Sequence, residues 1–187
     1  MARAAGQGVK IYTKKGDAGE TGLIGGGRVS KADPVIEVLG NLDELNAAIG
    51  RALVHAGGSA SRSVLQTLQS VLFDLGAEVA STSRQYEAAG LPGLTENLED
   101  WIDEKTAEMP ELRNFVLPGG TMLAAELHMA RAVCRRLERS LVALSAERAL
   151  RSEALVFVNR LSDWLFCAAR HANYESGVED AAWTGDR

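Results

Sequence analysis

The chain has 187 residues, enough for one domain with a full hydrophobic core and short for two. Apolar residues make up 46% and charged residues 24%, an ordinary globular composition, and no apolar run approaches the ~20 residues of a membrane span. A net charge of −5 argues against a general nucleic-acid binder, while leaving room for a local basic site.

The opening MARAAGQG lacks the apolar core of a secretory signal and is read as a flexible tail over residues 1–8. Residues 9–32 form the one long non-helical stretch near the start. Val9, Ile11 and Tyr12 suit a short extended segment. After them Gly16, Gly19, Gly22 and the run Gly25, Gly26 and Gly27 alternate with Thr13, Lys14, Lys15, Asp17, Thr21, Arg28 and Lys31. Glycines let a backbone approach a ligand closely. Backbone N–H groups, threonine hydroxyls and lysine ammoniums are the groups that cradle phosphates. No GxxxxGKS/T is present, and no strand–turn–helix surrounds a GxGxxG, so neither common nucleotide fingerprint applies. A merely flexible arm is the alternative reading of this stretch.

Asp33 and Pro34 then open a helix as cap and first residue. Its apolar stripe runs through Val38, Leu42, Leu45, Ile49, Ala52 and Ala56 and stops at Gly57-Gly58, with Asp43, Glu44 and Asn46 in the middle. A second helix is predicted from about Ser61 to Ser81, and a polar loop over 82–94. Thr95 is expected to cap a shorter helix ending at Glu108, whose acidic first turn (Glu96, Glu99, Asp100) suits the helix dipole. Phe115-Val116-Leu117-Pro118-Gly119-Gly120 breaks the pattern, as core packing at the mouth of a bundle or a lid over a ligand. The longest seam follows, with Leu123, Leu127, Ala130, Cys134, Leu137, Leu141 and Leu144 at alternating four- and three-residue steps. The last helix starts near Ser152 on a seam of Ala154, Val158, Leu161, Leu165, Ala168 and Ala172, leaving Asn159, Asp163 and Arg170 off it. Residues 176–187 read as a tail pinned by Trp183. Five helices, four of them long and amphipathic, specify an all-α bundle, one domain over 9–175.

Along the longest helix Arg131, Arg135 and Arg139 step by four, with Arg136 beside them. Residues four apart share a helix face, so these guanidiniums repel unless carboxylates or a bound anion lie among them. A solvated basic face is one reading; a phosphate site is the other. Glu126 and His128 are two residues apart and face different ways, so the ExxH register of a di-iron bundle is missing. No nucleophile elbow is present, and Cys134 and Cys167 sit at apolar helical positions, as in a reducing compartment. What remains is a phosphate site in two halves, a Gly/Thr/Lys arm and an arginine helix. That many cations match a triphosphate better than one phosphate, with Mg²⁺ expected alongside.

Five blocks, TKKGDAGETGLIGGGRVSK, GNLDELNAAIG, FVLPGG, LHMARAVCRRLER and FVNRLSDWLFCAAR, in this order, resemble the PduO-type ATP:cob(I)alamin adenosyltransferases from Lys10 to Glu175. The family's central signature reads RRAER; Leu137 replaces its alanine at a seam position and leaves the charges in place. The resemblance implies a homotrimer of five-helix bundles with active sites between subunits, and transfer of the 5′-deoxyadenosyl group of ATP to cobalamin. It assigns ATP contacts to Thr13, Lys14, Lys15, Gly16, Asp17, Glu20, Thr21, Lys31, Arg135, Arg136, Glu138, Arg139 and Asn159. It pairs Asp43 with an arginine of the neighbouring subunit, Arg135 being the candidate, and sets Phe115 under the corrin ring, where it displaces the dimethylbenzimidazole ligand. It also implies Mg²⁺, a flavin-type reductase and an adenosylcobalamin-dependent mutase as client, while charge, apolar runs and thiols point to a cytoplasmic protein with neither nucleic acid nor membrane as partner. Two rivals stay open: a non-catalytic module that delivers adenosylcobalamin, and a structural bundle whose arginines tie subunits together.

Overall fold

The computed structural model describes residues 11–82 and 86–185; the predicted tail over 1–8 and Val9 lie outside the described residues. A hairpin of β1 (Glu20–Gly22) and β2 (Arg28–Ser30) precedes five helices: α1 (Pro34–His55), α2 (Arg62–Ala80), α3 (Leu91–Glu108), α4 (Met122–Ser145) and α5 (Ser152–Glu175). Lateral packing runs α2–α1–α4–α5–α3, so α1, α4 and α5 form the middle of the bundle.

The predicted seams face inward. Val38, Leu45, Ile49 and Ala52 of α1, Leu127, Ala130, Cys134, Leu137 and Leu141 of α4, and Val158, Leu161 and Leu165 of α5 lose all contact with solvent. Phe157 and Trp164 fill the centre, and Trp164 meets Trp101 of α3 at 5.2 Å between ring centroids. The caps behave as their residue types require. Asp33 Oδ1 accepts the Val35 N–H at 2.9 Å with Pro34 opening α1, and Thr121 Oγ1 accepts the Ala124 N–H at 3.1 Å at the start of α4.

Helix α3 departs from the expectation. It begins at Leu91, after Gly90 in a left-handed conformation (φ 71°), with Pro92 in its first turn. Thr95 therefore lies inside the helix, its hydroxyl donating to the Leu91 carbonyl at 2.8 Å, and no acidic residue occupies the first turn. Only glycine reaches that left-handed geometry without strain, so Gly90 and Pro92 set this terminus between them.

Two irregular segments are fastened to helix ends. The hairpin pairs Glu20 with Ser30, Thr21 with Val29 and Gly22 with Arg28. Its turn is tied to the end of α2: the Ile24 N–H donates to the Ala80 carbonyl at 3.1 Å, and the Thr82 N–H donates to the Ile24 carbonyl at 3.0 Å. At the opposite end of the sequence, residues after α5 turn back at Gly177 (φ 66°) and run antiparallel to the α3–α4 linker. The Leu117 N–H donates to the Ala181 carbonyl at 2.8 Å and the Trp183 N–H to the Phe115 carbonyl at 2.7 Å.

Candidate active site

The glycine-rich segment is an ordered loop braced by its own polar groups. Arg28 binds the Glu20 carboxylate at 3.2 Å and donates to the Lys15 carbonyl at 2.7 Å, closing the loop that contains Lys15, Gly16 and Asp17. The Lys15 N–H donates to Thr13 Oγ1 at 3.4 Å, and the Lys31 N–H donates to the Gly19 carbonyl at 2.8 Å. Gly16 lies against the Lys31 ammonium: a Cβ there would stand 3.2 Å from Nζ, so any side chain would displace that charge. Lys14 holds φ 60°, the one non-glycine residue with positive φ among those described. Such a conformation costs of order 1 kcal/mol or more, and it collects at functional sites. Lys14, Asp17 and Lys31 are exposed and form no side-chain ion pair among the described residues, while Thr21 is half-buried in the hairpin.

On α4 the arginines divide by role. Arg131 is half-buried with its guanidinium 5.3 Å from the centre of the Phe166 ring, a packing contact. Arg136 is engaged within the protomer, paired with Glu44 and donating to Asn41 Oδ1 at 3.0 Å. Arg135 and Arg139 are exposed, and neither has a side-chain hydrogen bond or ion pair among the described residues. Glu138 and Asn159 are brought together, Asn159 Nδ2 donating to Glu138 Oε1 at 2.8 Å across α4 and α5. Asp43 is exposed on α1 and likewise unpaired among the described residues. No hydrogen bond or ion pair among those residues joins the loop to Arg135, Arg139 or Asn159. Among the described residues the two cationic surfaces are therefore not bonded to each other.

Phe115 is 80% exposed and flanks a cavity of about 680 Å³ with Leu112, Asn114 and Trp183. Its ring meets Trp183 edge-on at 6.2 Å between centroids. Behind it lie residues that periodicity set aside. Arg170 is buried, binds Asp180 at 2.7 Å and donates to the Pro110 carbonyl at 2.9 Å. Asn173 accepts the Thr121 N–H at 2.9 Å and donates to the Gly119 carbonyl and to Asp180. An arginine on the last helix ten positions before an aspartate was all that the sequence offered, and the intervening turn hides the pairing from any periodic pattern.

The remaining reactive groups are occupied or silent. Burial pushes the Cys134 thiol far above its ordinary range, and the thiol donates to the Val158 carbonyl at 3.3 Å. Burial also raises Cys167, outweighing its Thr106 contact. His128 is held below its usual value by burial and by the Arg131 charge. Neither thiol is a nucleophile in this form. Among the described residues no three His, Cys, Asp or Glu side chains converge to hold a metal ion, and no helix is long and apolar enough to cross a membrane.

The bundle thus presents Lys14 and Lys31 on one surface and Arg135 and Arg139 on another, none in an ion pair among the described residues, with an exposed aromatic ring at Phe115. The family model described as cobalamin adenosyltransferase matches residues 11–172, and the chain belongs to that family. It is 41% identical over 179 residues to the corrinoid adenosyltransferase of Bacillus subtilis, spanning 94% of this chain and 92% of that one. It is 40% identical to the human corrinoid adenosyltransferase MMAB, spanning 91% of this chain and 72% of that protein. Among solved structures, a variant PduO-type ATP:corrinoid adenosyltransferase from Lactobacillus reuteri complexed with cobalamin and ATP superposes with a TM-score of 0.87 at 38% identity, over 94% of this chain and 100% of that one.

Proposed function

We propose that this chain transfers the 5′-deoxyadenosyl group of ATP to the cobalt of cob(I)alamin, giving adenosylcobalamin and triphosphate. The observation that carries this reading is the pair of unspent cationic surfaces, Lys14 and Lys31 on one and Arg135 and Arg139 on the other. They occur in a chain whose relatives are corrinoid adenosyltransferases. The cobalt electron pair forms the bond to C5′ while the C5′–O bond breaks and its electrons leave with triphosphate. Cob(I)alamin is already a strong nucleophile, so no side chain has to create one, in keeping with thiols that stay protonated.

The protein's task is then alignment and charge. Alignment of two reactants is worth about 7–11 kcal/mol of barrier. Each fixed donor aimed at the departing charge adds about 3–4 kcal/mol where water is excluded. Arg139, Arg135, Lys14 and Lys31 are assigned to the triphosphate. Thr13, Lys15, Gly16, Asp17, Glu20 and Thr21 build and line the loop that receives it, and Arg136, Glu138 and Asn159 fix the arginine surface. Mg²⁺ would stabilise the charge of the leaving triphosphate. The ion would be carried mainly by phosphate oxygens and water, and Asp17 is the loop carboxylate without an ion pair among the described residues. Phe115 is assigned to the lower face of the corrin, where an apolar ring keeps dimethylbenzimidazole or water from the lower axial position.

A site completed between subunits of a homotrimer, with Asp43 of one chain pairing Arg135 of the next, would give both exposed side chains, unpaired among the described residues, a partner. The free, buried thiols support a reducing, cytoplasmic setting. The chemistry requires a flavin-type or other low-potential reductase to supply cobalt(I), and an adenosylcobalamin-dependent enzyme such as a mutase to use the product. The test follows the cobalamin spectrum of purified protein with ATP, Mg²⁺ and a chemical reductant under anaerobic conditions. Light-sensitive adenosylcobalamin and stoichiometric triphosphate are expected. ATP binding without a cobalt–carbon bond would instead make the chain a delivery module.

A further inference from the structure

Phe115 is fixed by almost nothing around its own side chain. At 80% exposure it has little burial to hold it, and its linker between α3 and α4 has no helix or sheet of its own. What holds that linker is a set of polar contacts from the last turns of α5 and the segment after it. Asp180 is the hub. One carboxylate oxygen accepts from Arg170 Nε at 2.7 Å and the other from Asn173 Nδ2 at 3.1 Å. Arg170 reaches the start of the linker at the Pro110 carbonyl, and Asn173 grips its far end at Gly119 and Thr121. Between these points the returning chain hydrogen-bonds Leu117 and Phe115 through Ala181 and Trp183. Start, middle and end of the linker are therefore all tied to one carboxylate or to the strand that it anchors. Arg170 and Asn173 are 7% and 2% exposed and Asp180 is half-buried, so these bonds are largely shielded from competing water.

We infer that Asp180, through Arg170 and Asn173, is the positioning residue that sets Phe115 at the height where it meets the corrin. This rests on the assignment of Phe115 to the corrin face. Asp180 touches neither substrate. Loss of its carboxylate frees the returning strand and leaves Arg170 with only the Pro110 carbonyl, so Phe115 becomes misplaced while the loop and the arginine surface stay intact. Gly120 gives an independent handle on the same device. At φ 99° it lies so close to Asn173 that a Cβ there would overlap the amide group, so Gly120→Ala should spring the latch from its other side.

The experiment measures KM for corrinoid and for ATP separately, together with the spectrum of bound cob(II)alamin, in Asp180→Ala, Asp180→Asn, Gly120→Ala and Phe115→Ala. Asp180→Ala and Gly120→Ala are expected to raise the corrinoid KM by about tenfold to a hundredfold. The ATP KM should not move, and the bound cob(II)alamin spectrum should shift toward that of free cob(II)alamin. Asp180→Asn keeps an acceptor for Arg170 but sets an N–H against Asn173 Nδ2, so it should recover only part of the loss. A parallel rise in both KM values with a lowered melting temperature would reduce Asp180 to a structural residue and overturn the inference. So would a defect in Phe115→Ala with none in Asp180→Ala and Gly120→Ala. If Phe115→Ala is itself silent, the assignment of Phe115 to the corrin is what fails.

Discussion

Arg139 tests whether charge alone or a planar fork is needed at the leaving group. It is exposed and has no partner among the described residues, so nothing in the protomer competes for its five donors. A lysine there keeps the charge and loses bidentate contact with phosphate oxygens. Arg139→Lys is expected to lower turnover by about tenfold or more at saturating ATP; near-normal turnover would remove Arg139 from the triphosphate. Lys14 separates stability from function in the opposite sense. Its φ of 60° suits glycine better than lysine. Lys14→Gly is therefore expected to leave stability unchanged or raise it by about 1 kcal/mol, while the KM for ATP rises because an ammonium is lost. Loss of stability with unchanged ATP kinetics would show that the backbone there is relaxed and the lysine idle.

The joint between α2 and the start of α5 supplies a prediction at the level of elements. Glu78 lies near the end of α2 and receives two hydrogen bonds from Arg151, at 2.8 and 2.7 Å, just ahead of α5, and the Ala88 N–H at 2.7 Å. Burial pushes its carboxyl up, but the bonds from Arg151 and Ala88 and the Arg151 charge outweigh that and hold it below its ordinary 4.5. A depressed folded-state value contributes stability that is complete above 4.5 and is lost as pH falls through the folded value. Glu78→Gln should then cost about 2 kcal/mol at neutral pH, with the deficit closing in acid, in urea titrations at both ends of that range. A deficit independent of pH would mean that shape and not charge matters there. Such joints were illegible in the sequence, because their partners lie 73 residues apart, one on α2 and one in the turn ahead of α5. The helices themselves were legible, since a seam such as Leu123 to Leu144 at mixed three- and four-residue steps has one way to be buried. The start of α3 was misread because Thr95 has the chemistry of a cap, and only the left-handed Gly90 before Leu91-Pro92 marks the true end. Of the candidate site, the types and spacing of the loop residues and of Arg135 to Arg139 were readable. That Arg136 is spent on Glu44 and Asn41 while Arg135 and Arg139 are free was not, because neighbours on one helix look alike until a second helix is packed beside them.

For the whole molecule the decisive question is whether one chain holds a complete site. Loop and arginine surface share no hydrogen bond or ion pair among the described residues, and Asp43 and Arg135 each lack a partner there. In a closed trimer all three facts have one cause, because a ring interface joins different patches of neighbouring copies. Asp43→Arg would set like charges against each other, and light scattering should report single chains with little activity. That result alone does not say which residues share a site, but complementation does. Lys14→Ala damages the loop half and Arg139→Ala the helix half, so at ATP well below the raised KM each variant alone should be nearly inactive. Co-expressed and randomly assembled, about a quarter of the interfaces would join an intact loop to an intact helix, and activity should return to about that fraction of wild type. A site within one protomer forbids this outcome, since every chain in the mixture then carries a broken site whatever its neighbours are. Recovered turnover from two dead variants would fix the site between subunits, and its absence in a mixture shown to form mixed trimers would return both halves to one chain.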